Sequence, residues 1–163
     1  MKKAFVFDFD DTLAKTDAKI LIRRRSDSAI VDSLTPAEYN QFADVDPTEY
    51  FDYSQFSDEL YIKNGKATWL MPLAQEVHDE NHDVYILTAR GSAAAESIDC
   101  FLKSYNIKAK QVCCVGDNKG DIAKNKQTVL LTILQGYDKV YFYDDHAENV
   151  KAAEEIGCKS YKV

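Results

Sequence analysis

Glycine and proline are scarce, six and three in 163 residues, which excludes collagen-like and low-complexity chains. No run approaches the roughly 20 consecutive apolar residues of a membrane-spanning helix, so no membrane association is expected. Positive charge is in deficit, 20 Lys and Arg against 27 Asp and Glu for a net charge of -7. Such a surface repels nucleic-acid backbones and anionic lipid and excludes a sequence-independent DNA coat. The four cysteines, Cys100, Cys113, Cys114 and Cys158, form no C-x-x-C pair and have no His at zinc-ligand spacing. Cys113 and Cys114 would point to opposite faces of a strand, and small buried thiols are expected. Met1 to Phe7 imitates the charged end of a signal peptide, but Asp8, Asp10 and Asp11 interrupt the apolar stretch. A cytoplasmic protein is the expectation.

The remainder is that of an ordinary folded chain, 45% hydrophobic and 29% charged, long enough for one core and a modest insertion. Short apolar runs alternate with helical stretches, the pattern of βαβ units and a mostly parallel sheet. Ala4–Phe9, Val84–Thr88, Gln111–Val115 and Val140–Tyr143 read as strands, with Lys159–Val163 as a short edge strand. Helices are expected from Pro72, over Ala93–Tyr105 with Ser92 as cap, over Ala123–Leu134 and over Ala147–Ile156. Gly136 and Gly157 stop the last two.

Residues 14–68 break the alternation. Thr35-Pro36-Ala37-Glu38 is a helix start, in which Thr35 caps and Glu38 completes a capping box. The aromatics that follow (Tyr39, Phe42, Tyr50, Phe51, Tyr53, Phe56 and Tyr61) are expected to fill a small core of their own. These features predict a three-layer α/β Rossmann-like sheet, residues 1–13 and 69–163, carrying a small, mainly helical cap over 14–68.

Each candidate site residue falls where a strand ends, and open parallel sheets bind ligands outside those carboxyl ends. Asp8-Phe9-Asp10-Asp11-Thr12-Leu13 follows the first strand. Carboxylates this close do not ionise together cheaply without a cation, and Mg²⁺ meets that need through oxygen ligands. Thr88-Ala89-Arg90-Gly91 gathers a hydroxyl, a guanidinium and helix-start amides into an anion site, although Thr88 alone suits a cap and Arg90 a surface ion pair. Asp144-Asp145 ends the fourth strand, and Lys126, with Lys124 as rival, precedes it. Lys126 stands three and four residues before Val129 and Leu130, on the sheet-facing side of its helix, with Lys124 about 200° away. His146 suits a cap, and His78 a solvated helix face.

In these four ordered motifs the sequence resembles the haloacid dehalogenase (HAD) superfamily of phosphohydrolases, in particular small phage-type members. The resemblance covers residues 1–13 and 69–163, with the insertion similar to a small cap. The order of parts also resembles the 3′-phosphatase domain of phage polynucleotide kinases, without a P-loop. It implies that Asp8 attacks phosphorus and that Asp10 protonates the leaving group and then activates water. Asp8, the Asp10 backbone and Asp144 would hold Mg²⁺, supported by Asp145. Thr88 and Lys126, with Ala89 and Arg90 beside them, would bind the phosphoryl group. Asp10 separates a phosphatase from a dehalogenase, since halide displacement needs neither leaving-group acid nor metal.

The expectation is a Mg²⁺-dependent phosphomonoester phosphatase acting on a small metabolite or nucleotide. A polynucleotide end-processing phosphatase is the alternative, for which Arg23-Arg24-Arg25 is the concentrated basic candidate, though adjacent arginines are more often a solvated face. A non-catalytic phosphate sensor on the same fold is the alternative of another class, disfavoured because clustered carboxylates without metal or chemistry cost stability.

Overall fold

The apolar run at the start of the chain forms strand β1 (Lys3–Phe7), and its alternation explains the architecture. Phe5 and Phe7 point to one face of the sheet and Ala4 and Val6 to the other, and all four are buried in two separate cores. A strand covered on both faces needs apolar residues at every position. The computed structural model describes all residues, 1–163. It shows a five-stranded, wholly parallel sheet in the order β10-β9-β1-β7-β8. Its other strands are β7 (Asp83–Thr88), β8 (Gln111–Cys114), β9 (Lys139–Asp144) and β10 (Lys159–Lys162).

Helices α3 (Met71–Asp79) and α4 (Ala95–Lys103) cover the Phe5 and Phe7 face through Ala74, Val77, Ile98, Phe101 and Leu102. Helices α5 (Ile122–Leu134) and α6 (Ala147–Glu155) cover the other through Leu130, Ile133 and Ala153. The three layers match the sequence expectation. So do the helix and strand positions, to within a few residues. No helix is long and apolar enough to cross a membrane.

The insertion departs from expectation, because its framework is sheet rather than helix. Strands β3 (Ile20–Arg24), β4 (Ile30–Leu34) and β5 (Glu49–Asp52) make an antiparallel sheet in the order β4-β3-β5. Ile20, Ile22 and Leu34 form its small core, with Tyr39, Phe51 and Phe56 packed against them. The alternation of Ile20 and Ile22 carries the strand signal, but Leu21 between them is buried too, which blurs the pattern. Helix α1 (Pro36–Gln41) begins with the full Thr35 and Glu38 capping box. A 3₁₀ turn (Ser54–Ser57) and helix α2 (Glu59–Lys63) follow. A two-residue ribbon, β2 (Ala14–Lys15) against β6 (Lys66–Ala67), joins insertion to core.

All four cysteines are free thiols; Cys158 is buried, Cys113 and Cys114 are half-buried, and Cys100, against expectation, is exposed on α4. Burial pushes the Cys114 and Cys158 thiols up to about 11, which leaves them poor nucleophiles at neutral pH.

The loops after β7 and β8 touch backbone to backbone. The Gly116 N–H donates to the Arg90 carbonyl at 3.0 Å, and a Cβ at Gly116 would stand 2.4 Å from the Ala89 oxygen and 2.6 Å from the Gly91 nitrogen. Backbone cannot yield as a flexible side chain does, so we expect Gly116→Ala to cost about 1–3 kcal/mol, the usual range for overpacking. A urea titration showing wild-type stability would contradict this contact.

Candidate active site

β1, β7, β8 and β9 run in register, so their carboxyl ends share one edge, with β1 at the point where strand order reverses. That crevice is where open α/β sheets bind ligands. Asp8 leaves β1 here, its N–H donating to the Tyr143 carbonyl at 2.9 Å. The chain then doubles back, with Leu13 and Ala14 N–H groups both donating to the Phe9 carbonyl. Asp11 takes the left-handed conformation (φ 59°) this reversal needs, one that aspartate tolerates better than most residues.

Lys126, on the sheet-facing side of α5, is 1% exposed. Its Nζ lies 3.0 Å from Asp8 Oδ1 and 2.8 Å from Asp144 Oδ2. Lys124 is exposed. Burial opposes the lysine's charge, but Asp8 and Asp144 outweigh it and hold the ammonium protonated. Asp8 shows the opposite balance. Burial first, then the Asp144 charge, raises its carboxyl well above the usual range despite Lys126. Burial also raises Asp145.

Two further residues complete the network and a third fixes the loop beside it; Thr12 lies within the Asp8–Leu13 motif without a role assigned to it, and Asn149 and Asp117 did not stand out in the sequence. The Thr12 hydroxyl lies 3.1 Å from Asp8 Oδ2 and 3.5 Å from Asp145 Oδ1. Asn149, in the first turn of α6, donates to Asp144 Oδ2 at 3.0 Å, while its own buried Oδ1 has no partner. Asp117 accepts from the Ser92 N–H (2.8 Å) and Ser92 hydroxyl (2.6 Å), fixing the loop after β7. Ser92 is thus not the expected cap; it opens a 3₁₀ turn (Ser92–Ala94) that leads into α4, Gly91 is the N-cap of that turn, and Asp117 supplies the carboxylate from another loop. The Asn149 spacing from Asp144, five residues on at a helix start, was the available sequence signal.

Thr88 is fully buried, and its hydroxyl accepts from the Arg90 N–H at 3.1 Å. Ala89 is exposed at the loop tip. Arg90 is neither a surface ion pair nor an open anion site. Its buried guanidinium grips both Asp10 oxygens, Nε to Oδ2 at 2.8 Å and Nη2 to Oδ1 at 2.7 Å. Nη1 donates to the Phe56 carbonyl at 2.7 Å, Nη2 reaches the Thr16 hydroxyl at 3.3 Å, and the Phe56 ring lies 4.8 Å away. A planar fork fits a carboxylate two-to-two, so Asp10 takes the donors expected to face substrate. His146 occupies the N-cap of α6 without a side-chain cap bond, its N–H donating to Asp144 Oδ1 at 2.9 Å. His78 is not simply solvated, since its ring accepts from the Lys108 N–H at 3.2 Å.

Carboxylate oxygens of Asp8, Asp144 and Asp145 lie within 4.8 Å of one another. One ammonium against three carboxylates leaves two charges uncompensated, and Asn149 Oδ1 waits beside them as an acceptor for a donor such as a bound water. This donor set fits a hard divalent cation.

The fold is similar to that of solved structures of HAD-superfamily enzymes. A chain of the Pnkp1/Rnl/Hen1 RNA repair complex superposes with TM-score 0.65 at 17% identity, covering 100% of this chain and 42% of that one. A HAD family enzyme from Bacteroides thetaiotaomicron, crystallised with magnesium and inorganic phosphate, gives TM-score 0.54 at 15% identity, covering 99% and 94%. A HAD-superfamily hydrolase from Ehrlichia chaffeensis gives 0.53 at 16%, covering 99% and 88%. This chain therefore has the HAD hydrolase fold and spans less than half of the RNA repair chain. Neither a family model nor a curated protein sequence matches it.

Two outcomes test this network. Because the folded Asp8 carboxyl is raised, stability falls as pH climbs through and above the ordinary carboxylate range. Asp8→Asn should raise the melting temperature of the chelator-treated protein at pH 7, with the gain shrinking toward pH 4; a lower melting temperature at pH 7 would contradict it. Lys126→Ala should remove most turnover and Lys124→Ala little, as steady-state rates on an aryl phosphate will show.

Proposed function

We propose that the protein is a metal-dependent phosphomonoester phosphatase, with Asp8 as nucleophile. The observation that carries this reading is the meeting of Asp8, Lys126 and Asp144 at 3.0 and 2.8 Å, beside an Asp10 held by two hydrogen bonds. One Asp8 oxygen attacks phosphorus, forming an aspartyl-phosphate as the ester P–O bond breaks, and Asp10 delivers a proton to the departing oxygen. Asp10 then takes a proton from water, whose oxygen attacks phosphorus. The Asp8–phosphorus link breaks and inorganic phosphate leaves.

Lys126 uses two of its three N–H bonds on Asp8 and Asp144, and the third is available to a phosphoryl oxygen. The Thr88 hydroxyl accepts from Arg90 N–H and keeps its own proton to donate to a second oxygen. Arg90 orients Asp10. Both Asp10 oxygens accept from it, so the acid half-reaction requires one of those bonds to loosen. Asp8, Asp144 and the Asp10 backbone would hold Mg²⁺, with Asp145 and Asn149 in support. The ion supplies charge neutralisation as phosphate approaches a carboxylate.

A phosphorylated nucleotide or small metabolite is the simplest substrate for an acidic protein. A polynucleotide end is the second reading, supported by the full-length superposition on the RNA repair chain.

The test is turnover of an aryl phosphate with Mg²⁺. Asp8→Asn should reduce it at least about 10³-fold without unfolding the protein. Chelation should abolish it, and Mg²⁺ or Mn²⁺ should restore it better than Ca²⁺. Normal turnover by Asp8→Asn would sink the mechanism. Phosphate binding by a wild type that turns over no phosphate ester would favour a sensor.

A further inference from the structure

The chain's most concentrated basic run is spent internally. Arg23 pairs with Asp52 at 2.7 Å and donates to the Ser28 carbonyl, Arg24 pairs with Asp27 at 2.9 Å, and Arg25 donates to the Pro47 carbonyl and lies over the Tyr50 ring. Unspent positive charge stands instead on the ribbon that joins cap to core. Lys15 and Lys66 are directly opposed in its antiparallel register. Opposed residues share a face with their Cβ atoms about 5 Å apart, and like charges there repel.

The other face of the ribbon turns inward, with Ala14 fully buried and Ala67 packed against the main core. Both lysines are therefore on the outer face, and both are exposed. Neither takes part in any ion pair of the molecule. Lys15 has the Asp11 carboxylate in its field, but the two ammonium groups held side by side still repel each other, a cost that a bound polyanion would offset.

The ribbon is joined to the candidate site by a short chain of bonds. The Thr68 N–H donates to the Leu13 carbonyl at 2.9 Å and its hydroxyl to the Thr12 carbonyl, while the Thr12 hydroxyl reaches Asp8. Next in the chain is Trp69, the only tryptophan, 76% exposed although Leu70 and Met71 after it are buried. One exposed aromatic is unremarkable alone. Paired lysines with an exposed indole beside them are the combination that holds single-stranded nucleic acid, charge tracking the backbone and a ring stacking a base.

We propose that the outer face of the β2–β6 ribbon, with Trp69, is a binding site for a single-stranded polynucleotide whose terminal phosphate enters the Asp8 site. It rests on the phosphatase reading and takes the second of its two substrate readings, the polynucleotide end, for which it supplies a binding site: Lys15 and Lys66 contact internucleotide phosphates, and Trp69 stacks a base near the end. The molecule remains acidic overall, so binding is confined to this strip and is short.

The single tryptophan makes the site observable without catalysis. Asp8→Asn protein, which binds without turnover, is titrated with six-nucleotide strands phosphorylated at the 3′ or the 5′ end, with a mononucleotide, with inorganic phosphate and with a polyglutamate peptide. Trp69 fluorescence is followed at several salt concentrations. One of the two strands should quench the indole and bind more tightly than the mononucleotide. The double substitution Lys15→Gln and Lys66→Gln should lower the salt slope by roughly 1.4, at about 0.7 per phosphate contact. Trp69→Ala, followed by strand anisotropy, should weaken binding about tenfold. Neither change, made in the wild-type background, should alter aryl phosphate turnover. Equal affinity for strand and mononucleotide, an unchanged salt slope in the double variant, or equal quenching by polyglutamate overturns the proposal. Absence of aryl phosphate turnover in the wild type instead defeats the phosphatase reading, and the titrations still judge the ribbon separately.

Discussion

The ammonium of Lys126, sealed from solvent between Asp8 and Asp144, is the contact on which the rest of the site depends. It joins the end of β1, the first half of α5 and the end of β9, elements far apart in sequence. A buried charge is tolerated only when paired. The lysine cannot withdraw without leaving two carboxylates facing each other, whereas loss of the Asp8 charge leaves it paired with Asp144. The flanking bonds from Thr12 and Asn149 hold the two carboxylates in place from outside. Even so, burial and the Asp144 charge keep the Asp8 carboxyl raised toward its protonated form, a cost the network leaves unrelieved.

A second buried cation, Arg90, sets how the insertion meets the core. It grips Asp10 with two nitrogens and reaches the Phe56 carbonyl and the Thr16 hydroxyl with the rest. Apolar contact also contributes, since Ile62 of α2 belongs to the main core. Apolar packing is indifferent to small slides, whereas a bidentate guanidinium is directional. The position of the cap over the site is therefore read directly by the carboxylate proposed to move protons.

What was legible in the sequence follows from where its signals are local. Thr88 and Asp144 end strands and Asp8 and Asp10 follow one, so apolar runs pointed to them, and helical period separated Lys126 from Lys124. Side-chain partnerships between distant loops leave no such trace. Asp117 capping Ser92 and Arg90 turning to Asp10 depend on which loops meet at the sheet edge, and Arg90 was accordingly expected to face substrate. The cap sheet was missed for a different reason. Its strands are short, Leu21 breaks the alternation by being buried, and the strong capping box at Thr35 drew the segment toward helix.

The ribbon has a topological consequence for the whole chain. Ala14 and Ala67 are paired neighbours, so the insertion leaves and re-enters the core across a gap of about 5 Å, the spacing of opposed residues in an antiparallel pair. Seen from the core, the entire cap occupies the place of a hairpin loop. A two-residue turn could close the same gap without displacing a single strand of the parallel sheet, and a different cap could be grafted there just as readily. Chain continuity thus makes no demand on what is inserted; what ties this insertion to this core is the Ile62 side chain and the Arg90 contacts.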